Sequence, residues 1–266
     1  MPVEQLLRDG DLEGCLSALQ DRIRSDPSNL RYRVFLFQLL AVMGQWKRAL
    51  TQLEVIKGMD VSTWPLVQTY REALHCEGLR GEIFAGKHTP LIFGDPQQWL
   101  AWVVESLRLS AQGAYSQSQE LREQALEQAP ASSGTIDGQA FLWIADADAR
   151  LGPILEAIVN GNYYWIPMHQ IREIRIEAPE DLRDFVWTPA QFVWANGGQA
   201  VGLIPTRYSG SENSADSRIR LARKTEWIEK ASGVYEGLGQ RLWATDVAEF
   251  PLLDARRILL NVPSAD

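Results

Sequence analysis

Gly44-Gln45-Trp46-Lys47-Arg48-Ala49 is the segment from which the architecture follows, because its order of residue types returns along the first half of the chain. A large residue stands two positions after the glycine, and a small residue stands five positions after it. The same order is found in Gly10-x-Leu12-x-x-Cys15 and Gly113-x-Tyr115-x-x-Ser118. Gly10, Gly44 and Gly78 are spaced by 34 residues and Gly113 follows after 35, although the copy at Gly78 is degenerate.

This repetition predicts paired antiparallel helices. Glycine permits a sharp turn between two helices, the large side chain fills the seam between them, and the small residue allows their close approach. The spacing resembles the tetratricopeptide repeat. Residues 30–62 then form one full repeat, with helices over 30–43 and 45–57, and the first of these helices is apolar on so many sides that we expect it to be buried between neighbours. Shorter or less regular units are predicted over 1–29, 64–84 and 99–130.

The second half has a different pattern, which starts with the loop-like segment Ser132-Ser133-Gly134. Residues 196–199, Asn-Gly-Gly-Gln, separate two apolar runs and predict a β-hairpin between strands at 192–195 and 200–205. Further strands are predicted at 141–145, 163–166, 171–177, 220–228, 240–244 and 252–260, and a short helix at 152–159. The sequence therefore predicts an α+β fold with a tetratricopeptide-like domain over residues 1–131 and an α+β domain with antiparallel strands over residues 132–266.

The composition excludes several classes of protein. The formal net charge of −8 argues against binding to nucleic acid or to anionic membranes. Cys15 and Cys76 are too few for a disulfide framework or a cysteine-rich zinc site, so we expect both to be reduced and buried. No long apolar stretch or signal sequence is evident, which predicts a cytoplasmic protein. The ten tryptophans indicate a tryptophan-rich core or anchored interfaces.

Three groups of residues in the second half match a known family. The first is Gly138-x-x-Phe141-x-Trp143-x-Ala145-Asp146-Ala147-Asp148-x-Arg150-Leu151-Gly152-Pro153. The second is Glu156-Ala157-Ile158-Val159-Asn160-Gly161-x-Tyr163-Tyr164-Trp165-Ile166-Pro167. The third comprises Ala178-Pro179-x-Asp181-Leu182-Arg183-Asp184-x-x-Trp187, Pro205-x-Arg207-Tyr208 and Ala222-Arg223-x-Thr225-Glu226-Trp227. On these residues, and on its repeats, the chain resembles the TagJ/ImpE (SciE-type) accessory proteins of bacterial type VI secretion.

The resemblance implies a non-enzymatic adaptor in the cytoplasm. Its implied partner is the small subunit of the contractile sheath, which it would bind through the N-terminal helix of that subunit. A link to the ATPase that disassembles the sheath is also implied, so the adaptor would assist sheath assembly or recycling.

The cluster Asp146, Asp148 and Arg150 has three interpretations. Two carboxylates alone do not supply enough oxygen ligands for Mg²⁺ or Ca²⁺, and a catalytic carboxylate pair lacks an accompanying nucleophile or substrate pocket. We favour a structural role, in which the aspartates accept backbone N–H bonds at the start of a helical turn. They would also pair with an arginine, in an ionic network whose further members are Arg183, Asp184 and Arg207. A metal-dependent or carboxylate-based enzyme centred on Asp146, Asp148 and Arg150 is the alternative.

No other residue pattern indicates catalysis, a metal or a cofactor. His75, His88 and His169 lack the spacing that presents two imidazoles to one metal ion. Gly237-Leu238-Gly239 lacks the full glycine pattern and the lysine of a phosphate loop, and is better interpreted as a turn between strands. We therefore predict no catalytic residue, no metal and no cofactor.

Stacked helix pairs leave one set of helices lining a concave face, which is suited to a partner helix or an extended peptide. The candidate contact residues on the first helices are Arg31, Tyr32, Phe35, Tyr70, Trp99 and Trp102. An alternative docking face on the second domain lies near Tyr163, Tyr164 and Trp165.

Overall fold

A computed structural model describes residues 3–262. Helices occupy the first half of this range, here called the helical half. The last of them ends at Gln128, and the strands of the second half begin at Gly134. The helices are α1 (Val3–Asp9), α2 (Leu12–Ser25), α3 (Leu30–Val42), α4 (Trp46–Met59), α5 (Trp64–Phe84), α6 (Gln98–Ala111) and α7 (Tyr115–Gln128).

The predicted helix pairs are present at three of the four glycines. Gly10, Gly44 and Gly113 lie directly between paired helices and have φ angles of 80°, 68° and 79°, a left-handed conformation that glycine adopts without steric cost. The small residues Cys15, Ala49 and Ser118 are fully buried, as close helix approach requires. The helices predicted at 30–43 and 45–57 are confirmed as α3 and α4, and α3 is buried throughout its second half.

The prediction for Gly78 is wrong. This glycine lies inside the continuous helix α5 with an exposed backbone, and no turn occurs there. The chain turns instead at Gly86, whose φ is 71°. A glycine in a helix costs only about 1 kcal/mol relative to alanine, which is small beside the burial of Ala73, Leu74 and Ile83 along the same helix.

The strands of the second half, here called the strand half, form one large sheet and two small ones. The large sheet has the order β1-β6-β5-β9-β8-β7-β14-β2-β3, and the small sheets are β13-β12-β4 and β10-β11. The strands of the large sheet are β1 (Leu91–Ile92), β2 (Gly134–Ile136), β3 (Gln139–Phe141), β5 (Ile154–Val159), β6 (Asn162–Pro167), β7 (Ile171–Ile176), β8 (Trp187–Trp194), β9 (Gln199–Pro205) and β14 (Arg257–Leu260). The small sheets contain β4 (Ile144–Asp146), β10 (Thr225–Ala231), β11 (Val234–Gly239), β12 (Leu242–Thr245) and β13 (Glu249–Pro251). A four-residue helix, α8 (Ser217–Arg220), precedes β10.

The hairpin predicted around residues 196–199 is confirmed as β8 and β9, which are paired in antiparallel register. The strands predicted at 163–166 and 171–177 are confirmed as β6 and β7. The prediction of a helix at 152–159 is wrong, because residues 154–159 form β5, which is buried on both faces. Asn160 and Gly161 have positive φ angles and form the tight turn to β6.

The remaining strand predictions are correct only in part. The predicted strand at 141–145 is divided between β3 and β4, and Leu142 and Trp143 lie exposed between them. The predicted strand at 220–228 begins only at Thr225, after α8. The segments predicted at 240–244 and 252–260 contain the shorter strands β12 and β14. Gly237 and Gly239 belong to β11 rather than to a turn.

The two halves share one hydrophobic core. Phe37 of α3 and Tyr70 of α5 are 5.6 Å apart between ring centroids, and Trp187 of β8 lies 5.7 Å from Tyr70. The short strand β1, which lies between α5 and α6 in sequence, joins the large sheet beside β6. The fold is therefore α+β as predicted, with helical hairpins packed directly onto a mostly antiparallel sheet.

Two smaller features complete the fold. Cys15 and Cys76 are both free and buried, as the sequence predicts. Within residues 3–262, no helix combines the length and the apolar character needed to cross a membrane.

Candidate functional site

The sequence-predicted aspartates shape the segment that follows β4. Asp146 accepts the backbone N–H of Asp148 at 2.8 Å, and Asp148 accepts the backbone N–H of Arg150 at 3.0 Å. Asp148 also accepts the backbone N–H of Gly237 at 2.9 Å, which ties β11 to this turn. The expected backbone bonds are present, and a single hydrogen-bonded turn follows, in which the carbonyl of Asp148 accepts the N–H groups of Leu151 and Gly152 at 2.9 Å and 3.2 Å before β5 begins at Ile154.

Asp148 and Arg150 form a buried two-point ion pair. The Arg150 Nε and Nη2 atoms lie 2.9 Å and 2.5 Å from the carboxylate oxygens of Asp148. The third nitrogen, Nη1, lies 3.1 Å from Glu236. The guanidinium carbon of Arg150 also lies 5.1 Å from the ring centroid of Phe84 on α5, so this pair borders the helical half.

Asp146 belongs to a second chain of charges that the sequence reasoning missed. Its carboxylate contacts Arg241, and Arg241 also contacts Glu156 of β5; all three side chains are fully buried. On its other side Glu156 binds Arg80 of α5, with Nε–Oε1 and Nη2–Oε2 distances of 2.6 Å and 3.2 Å. The order Asp146, Arg241, Glu156, Arg80 therefore alternates in sign and runs from the strand half into the helical half.

Aromatic N–H and O–H groups add hydrogen bonds to Glu156 and to Glu77, whose Oε2 lies 3.5 Å from Nη1 of Arg80. The Tyr163 hydroxyl donates to Glu156 and accepts the indole N–H of Trp165 at 2.8 Å. Glu77, one turn before Arg80 on α5, accepts the indole N–H of Trp187 at 3.0 Å. Because every partner is buried, these polar side chains fix the position of α5 on the sheet.

Burial raises the pKa of the carboxyl groups of Asp146 and Glu156, whereas the neighbouring arginines lower it. Burial raises the pKa of Asp146 to about 6, and the attraction of Arg241 only partly offsets it. Burial also opposes ionisation of Glu156, but the combined attraction of Arg80 and Arg241 outweighs it and lowers the pKa of Glu156 to about 2. Glu156 is therefore the ionised centre of the network.

The other predicted members of the network lie elsewhere. Arg183 contacts Asp181, and its guanidinium carbon lies 5.0 Å from the Tyr70 ring centroid. Asp184 caps the short helix Leu182–Phe185 by accepting backbone N–H groups. Arg207 donates to the backbone oxygen of Val42 at the end of α3, at 2.8 Å. Arg183 and Arg207 thus make other contacts between the halves, and the backbone oxygen of Arg207 also accepts a hydrogen bond from Nη2 of Arg80 at 2.8 Å. None of the three residues contacts Asp146 or Asp148.

No metal site is evident among the residues that the structure describes. In that part of the chain, no three His, Cys, Asp or Glu side chains lie close enough together to hold an ion. The Nε2 atom of His169 lies 3.3 Å from the Nε2 atom of Gln97, and both side chains are part-buried. The lone pairs of Asp146 and Asp148 that a metal would need are already engaged by arginine and backbone N–H groups.

Four of the nine predicted partner-binding residues are buried inside the protein. Tyr70, Trp99, Tyr163 and Trp165 are buried, with Tyr163 and Trp165 only 1% and 0% exposed. The candidates that are part-buried are Tyr32, Phe35, Trp102 and Tyr164, and Arg31 alone of the set is exposed. Trp187 of the strand half packs against Tyr70, so this chain itself covers that part of the surface expected to face a partner.

The sequence did not predict the contacts among Glu77, Arg80, Glu156 and Arg241, because only the fold brings these residues together. One signal was present for Glu156, a charged residue inside the apolar run Ile154–Val159. Such a residue is costly to bury unless it is paired, which predicts a buried cationic partner. The sequence does not identify that partner, since Arg80 and Arg241 are 76 and 85 positions away.

Comparison with known proteins agrees with this architecture. The solved X-ray structure of protein VPA1032 from Vibrio parahaemolyticus has the same fold, with a TM-score of 0.90 at 24% identity, covering 100% of this chain and 99% of that one. The ImpE protein family model matches residues 138–259. The type VI secretion system accessory component TagJ of Pseudomonas aeruginosa is 51% identical over 258 residues, which are 97% of this chain and 90% of that protein. This chain therefore belongs to the TagJ/ImpE family of type VI secretion accessory proteins.

Proposed function

We propose that this chain is a non-enzymatic adaptor of a type VI secretion system, located in the cytoplasm. It binds the N-terminal helix of the small sheath subunit and assists sheath assembly or ATPase-driven recycling. The observation that carries the proposal is the 51% identity, over 97% of the chain, to a protein named as an accessory component of that system.

The fold supports a binding role. Helical hairpins stack into extended surfaces, and such surfaces commonly bind helices or peptides of other proteins. The carboxylates that most resemble a catalytic pair, Asp146 and Asp148, are held by arginine and backbone N–H groups inside the protein. Their arrangement supports a structural role, which favours the adaptor over the enzyme.

We infer that the partner helix uses a surface other than the one suggested by the repeat pattern. The concave side of α3 and α5 is covered by the strand half, through Trp187 and through the ion pair of Arg80 with Glu156. The outer faces of the helices and the exposed parts of the small sheets are the surfaces we propose for this contact.

Isothermal titration calorimetry with a peptide of the sheath subunit's N-terminal helix tests the proposal. We expect a saturable binding signal with one peptide per chain, and competition by the full small sheath subunit. A peptide of the same composition in scrambled order is the control and should give no signal. Absence of binding by the native peptide, together with absence of binding by the full subunit, would contradict the proposal.

The link to the ATPase needs a separate experiment. The sheath-disassembling ATPase is mixed with this chain, with and without the small sheath subunit, and the mixtures are resolved by size-exclusion chromatography. An adaptor that recruits the ATPase should form a larger complex when all three proteins are present. If the ATPase elutes unchanged in every mixture, the adaptor acts without contacting it.

A further inference from the structure

The linker between α5 and α6, residues 85–97, runs along the edge of the large sheet. Its strand β1 is paired with β6, and the backbone N–H of Phe93 donates to the carbonyl of Trp165 at 3.0 Å. The ring centroid of Phe93 also lies 4.6 Å from that of Trp194. Residues 94–97 belong to no strand or helix, so the end of the linker depends on side chains for its attachment.

Gln97 provides this attachment. It occupies the N-cap position of α6, but its side chain does not cap the helix. Ser, Thr, Asp and Asn are preferred at this position, because their side chains accept a backbone N–H of the first turn. The Gln97 side chain instead lies between Trp99 and His169. Its Oε1 accepts the indole N–H of Trp99 at 2.6 Å, and its Nε2 lies 3.3 Å from Nε2 of His169, in the short turn Met168–Gln170 between β6 and β7.

The chemistry of the groups fixes the direction of both hydrogen bonds. The indole N–H of Trp99 can only donate, so it determines that Oε1 of Gln97 faces Trp99 and that the NH₂ group faces His169. The NH₂ group also can only donate. Nε2 of His169 is therefore the acceptor, which requires a neutral imidazole with its proton on Nδ1. The two hydrogen bonds exist together only while His169 is neutral.

Protonation of His169 breaks one of these bonds whichever way the amide points. An imidazolium donates from both ring nitrogens, so Nε2 of His169 and the NH₂ group of Gln97 would face each other as two donors. Rotation of the amide by about 180° would present Oε1 to His169. It would then place the NH₂ group against the indole N–H of Trp99, which is only 3% exposed. One buried or part-buried donor loses its acceptor in either orientation.

The surroundings of His169 favour its neutral form. Burial lowers the pKa of His169 from its ordinary value of 6.5, and burial is the only cause of this shift among the described residues. The positive end of the α6 dipole, at Gln97, also disfavours an imidazolium. The charged and titratable groups on the adjacent elements are Lys87, His88 and Asp95 in the linker, Glu105 and Arg108 on α6, Tyr163 and Tyr164 on β6, and Arg172, Glu173 and Arg175 on β7.

We propose that Trp99, Gln97 and His169 form an acid-sensitive latch, which holds the end of the linker and the start of α6 on the large sheet while His169 is neutral. Protonation of His169 opens the latch and frees residues 94–99, whereas β1 and Phe93 stay paired with the sheet. Acidification therefore loosens the first turn of the α6–α7 hairpin without unfolding the chain. The latch is a property of this chain by itself, so its test needs no partner protein.

Two variants that add the same charge at adjacent positions test the latch. In Gln97→Glu, the carboxylate can accept both the indole N–H of Trp99 and the Nε2–H of a protonated His169. This variant should raise the pKa of His169 above 6.5 and keep the latch closed in acid. Gln98→Glu is the matched control, because Gln98 is exposed in the first turn of α6 and the substitution leaves Gln97 in place.

A third variant, His169→Gln, removes the titration. Its side-chain oxygen can accept from Gln97 at every pH, so the latch should stay closed in acid. The same variant identifies the NMR signals of His169, because it removes one of the three histidines of the chain.

NMR of the full chain with ¹⁵N-labelled histidine measures the tautomer and the pKa of His169. At about pH 8 we expect the proton on Nδ1 and a free lone pair on Nε2. The pKa of His169 should lie below 6.5 in the unmodified chain and in Gln98→Glu. A proton on Nε2 of neutral His169 would overturn the latch, because Gln97 would then have no acceptor.

Backbone hydrogen exchange over residues 94–100 measures the opening, as protection factors corrected for the intrinsic effect of pH. Between about pH 8 and pH 5, protection should fall about three- to tenfold in the unmodified chain and in Gln98→Glu, which is the effect of losing one hydrogen bond. Protection should not fall in Gln97→Glu or in His169→Gln. The latch is refuted by protection that does not depend on pH in the unmodified chain, or by the same response in Gln97→Glu and Gln98→Glu.

Discussion

Arg80 and Glu156 form a buried two-point ion pair that joins the helical half to the strand half. Their side chains meet at 2.6 Å and 3.2 Å, although 76 positions separate them in sequence. Arg241 contacts Glu156 from the opposite side, so one carboxylate lies between two guanidinium groups. The charge of Glu156 is therefore one of the contacts that orient α5 on the sheet, beside those of Glu77 and Tyr70 with Trp187.

Replacing Glu156 with Gln should reduce the free energy of unfolding by about 3–5 kcal/mol, because Arg80 and Arg241 are left as buried cations without Glu156. Urea unfolding followed by circular dichroism measures the change. Glu173→Gln is the matched control, since Glu173 pairs with Arg175 and Arg257, whose side chains are 58% and 54% exposed. We expect less than about 1 kcal/mol there. Equal effects of the two substitutions would show that the buried network does not stabilise the fold.

As the pH falls, protonation of Glu156 and protonation of Asp146 should change the free energy of unfolding in opposite directions. The pKa of Glu156 is lowered from 4.5 to about 2, so its stabilisation is complete above pH 4.5 and is lost as the pH falls towards 2. The pKa of Asp146 is raised from 3.8 to about 6, so the folded state gains stability from Asp146 as the pH falls from above 6 towards 3.8.

Urea midpoints measured between pH 2.5 and 8 test this expectation. The unmodified chain should lose stability steeply below about pH 4, and Glu156→Gln should flatten that loss. Asp146→Asn should remove the gain between about pH 6 and 4. A pH profile that neither substitution alters would contradict the assignment of these two titrations.

Replacing both Asp146 and Asp148 with Asn tests the structural role of the aspartates against the enzyme alternative. Arg150 would lose the buried carboxylate of Asp148 that holds it at two points, so we expect the free energy of unfolding to fall by at least about 3 kcal/mol. Metal analysis of the unmodified chain by mass spectrometry should show no stoichiometric metal. Unchanged stability with a bound metal in the unmodified chain would favour the enzyme.

The helical half should not fold stably by itself. Tyr70 and Arg80 contact residues of the strand half, so a fragment of residues 1–131 exposes an apolar and charged surface that is buried in the full chain. We expect the fragment to bind a hydrophobic dye and to unfold without a sharp transition. The predicted division at residue 131 would gain support from the opposite result, cooperative unfolding of the fragment near the melting temperature of the full chain.

Local sequence patterns predicted the helical hairpins well and the network poorly, for physical reasons. The turns at Gly10, Gly44 and Gly113 depend on residues within a few positions of each glycine, so they are visible in the sequence. Periodicity alone failed at Ile154–Val159, because a short apolar run fits a buried helix and a buried strand equally. The two-residue turn Asn160-Gly161 was the better indicator, since it joins strands.

The candidate site was less predictable than the fold because its contacts are long-range. Asp148 and Arg150 were identified because they are two positions apart, whereas the partner of Asp146, Arg241, is 95 positions away. The concave face was expected to be free for a partner, and no local pattern indicated that the strand half covers it.

Alanine substitutions at three glycines test the helix boundaries directly. Gly78 lies inside α5, and a Cβ atom there would meet no atom within 4 Å. Gly78→Ala should therefore raise the free energy of unfolding by about 0.5–1 kcal/mol. Gly113→Ala should lower it by about 1 kcal/mol, because φ is 79° although space is free. Gly44→Ala should lower it further, since its Cβ would lie 2.6 Å from Glu212 as well.

Thermal unfolding of the three variants gives the order of stability. The expected order, from most to least stable, is Gly78→Ala, the unmodified chain, Gly113→Ala and Gly44→Ala. The position of Gly78 is decisive, because the 34-residue spacing predicts a turn there and a turn would make alanine destabilising. A melting temperature of Gly78→Ala below that of the unmodified chain would therefore contradict a continuous α5 and restore the turn that the repeat pattern predicts.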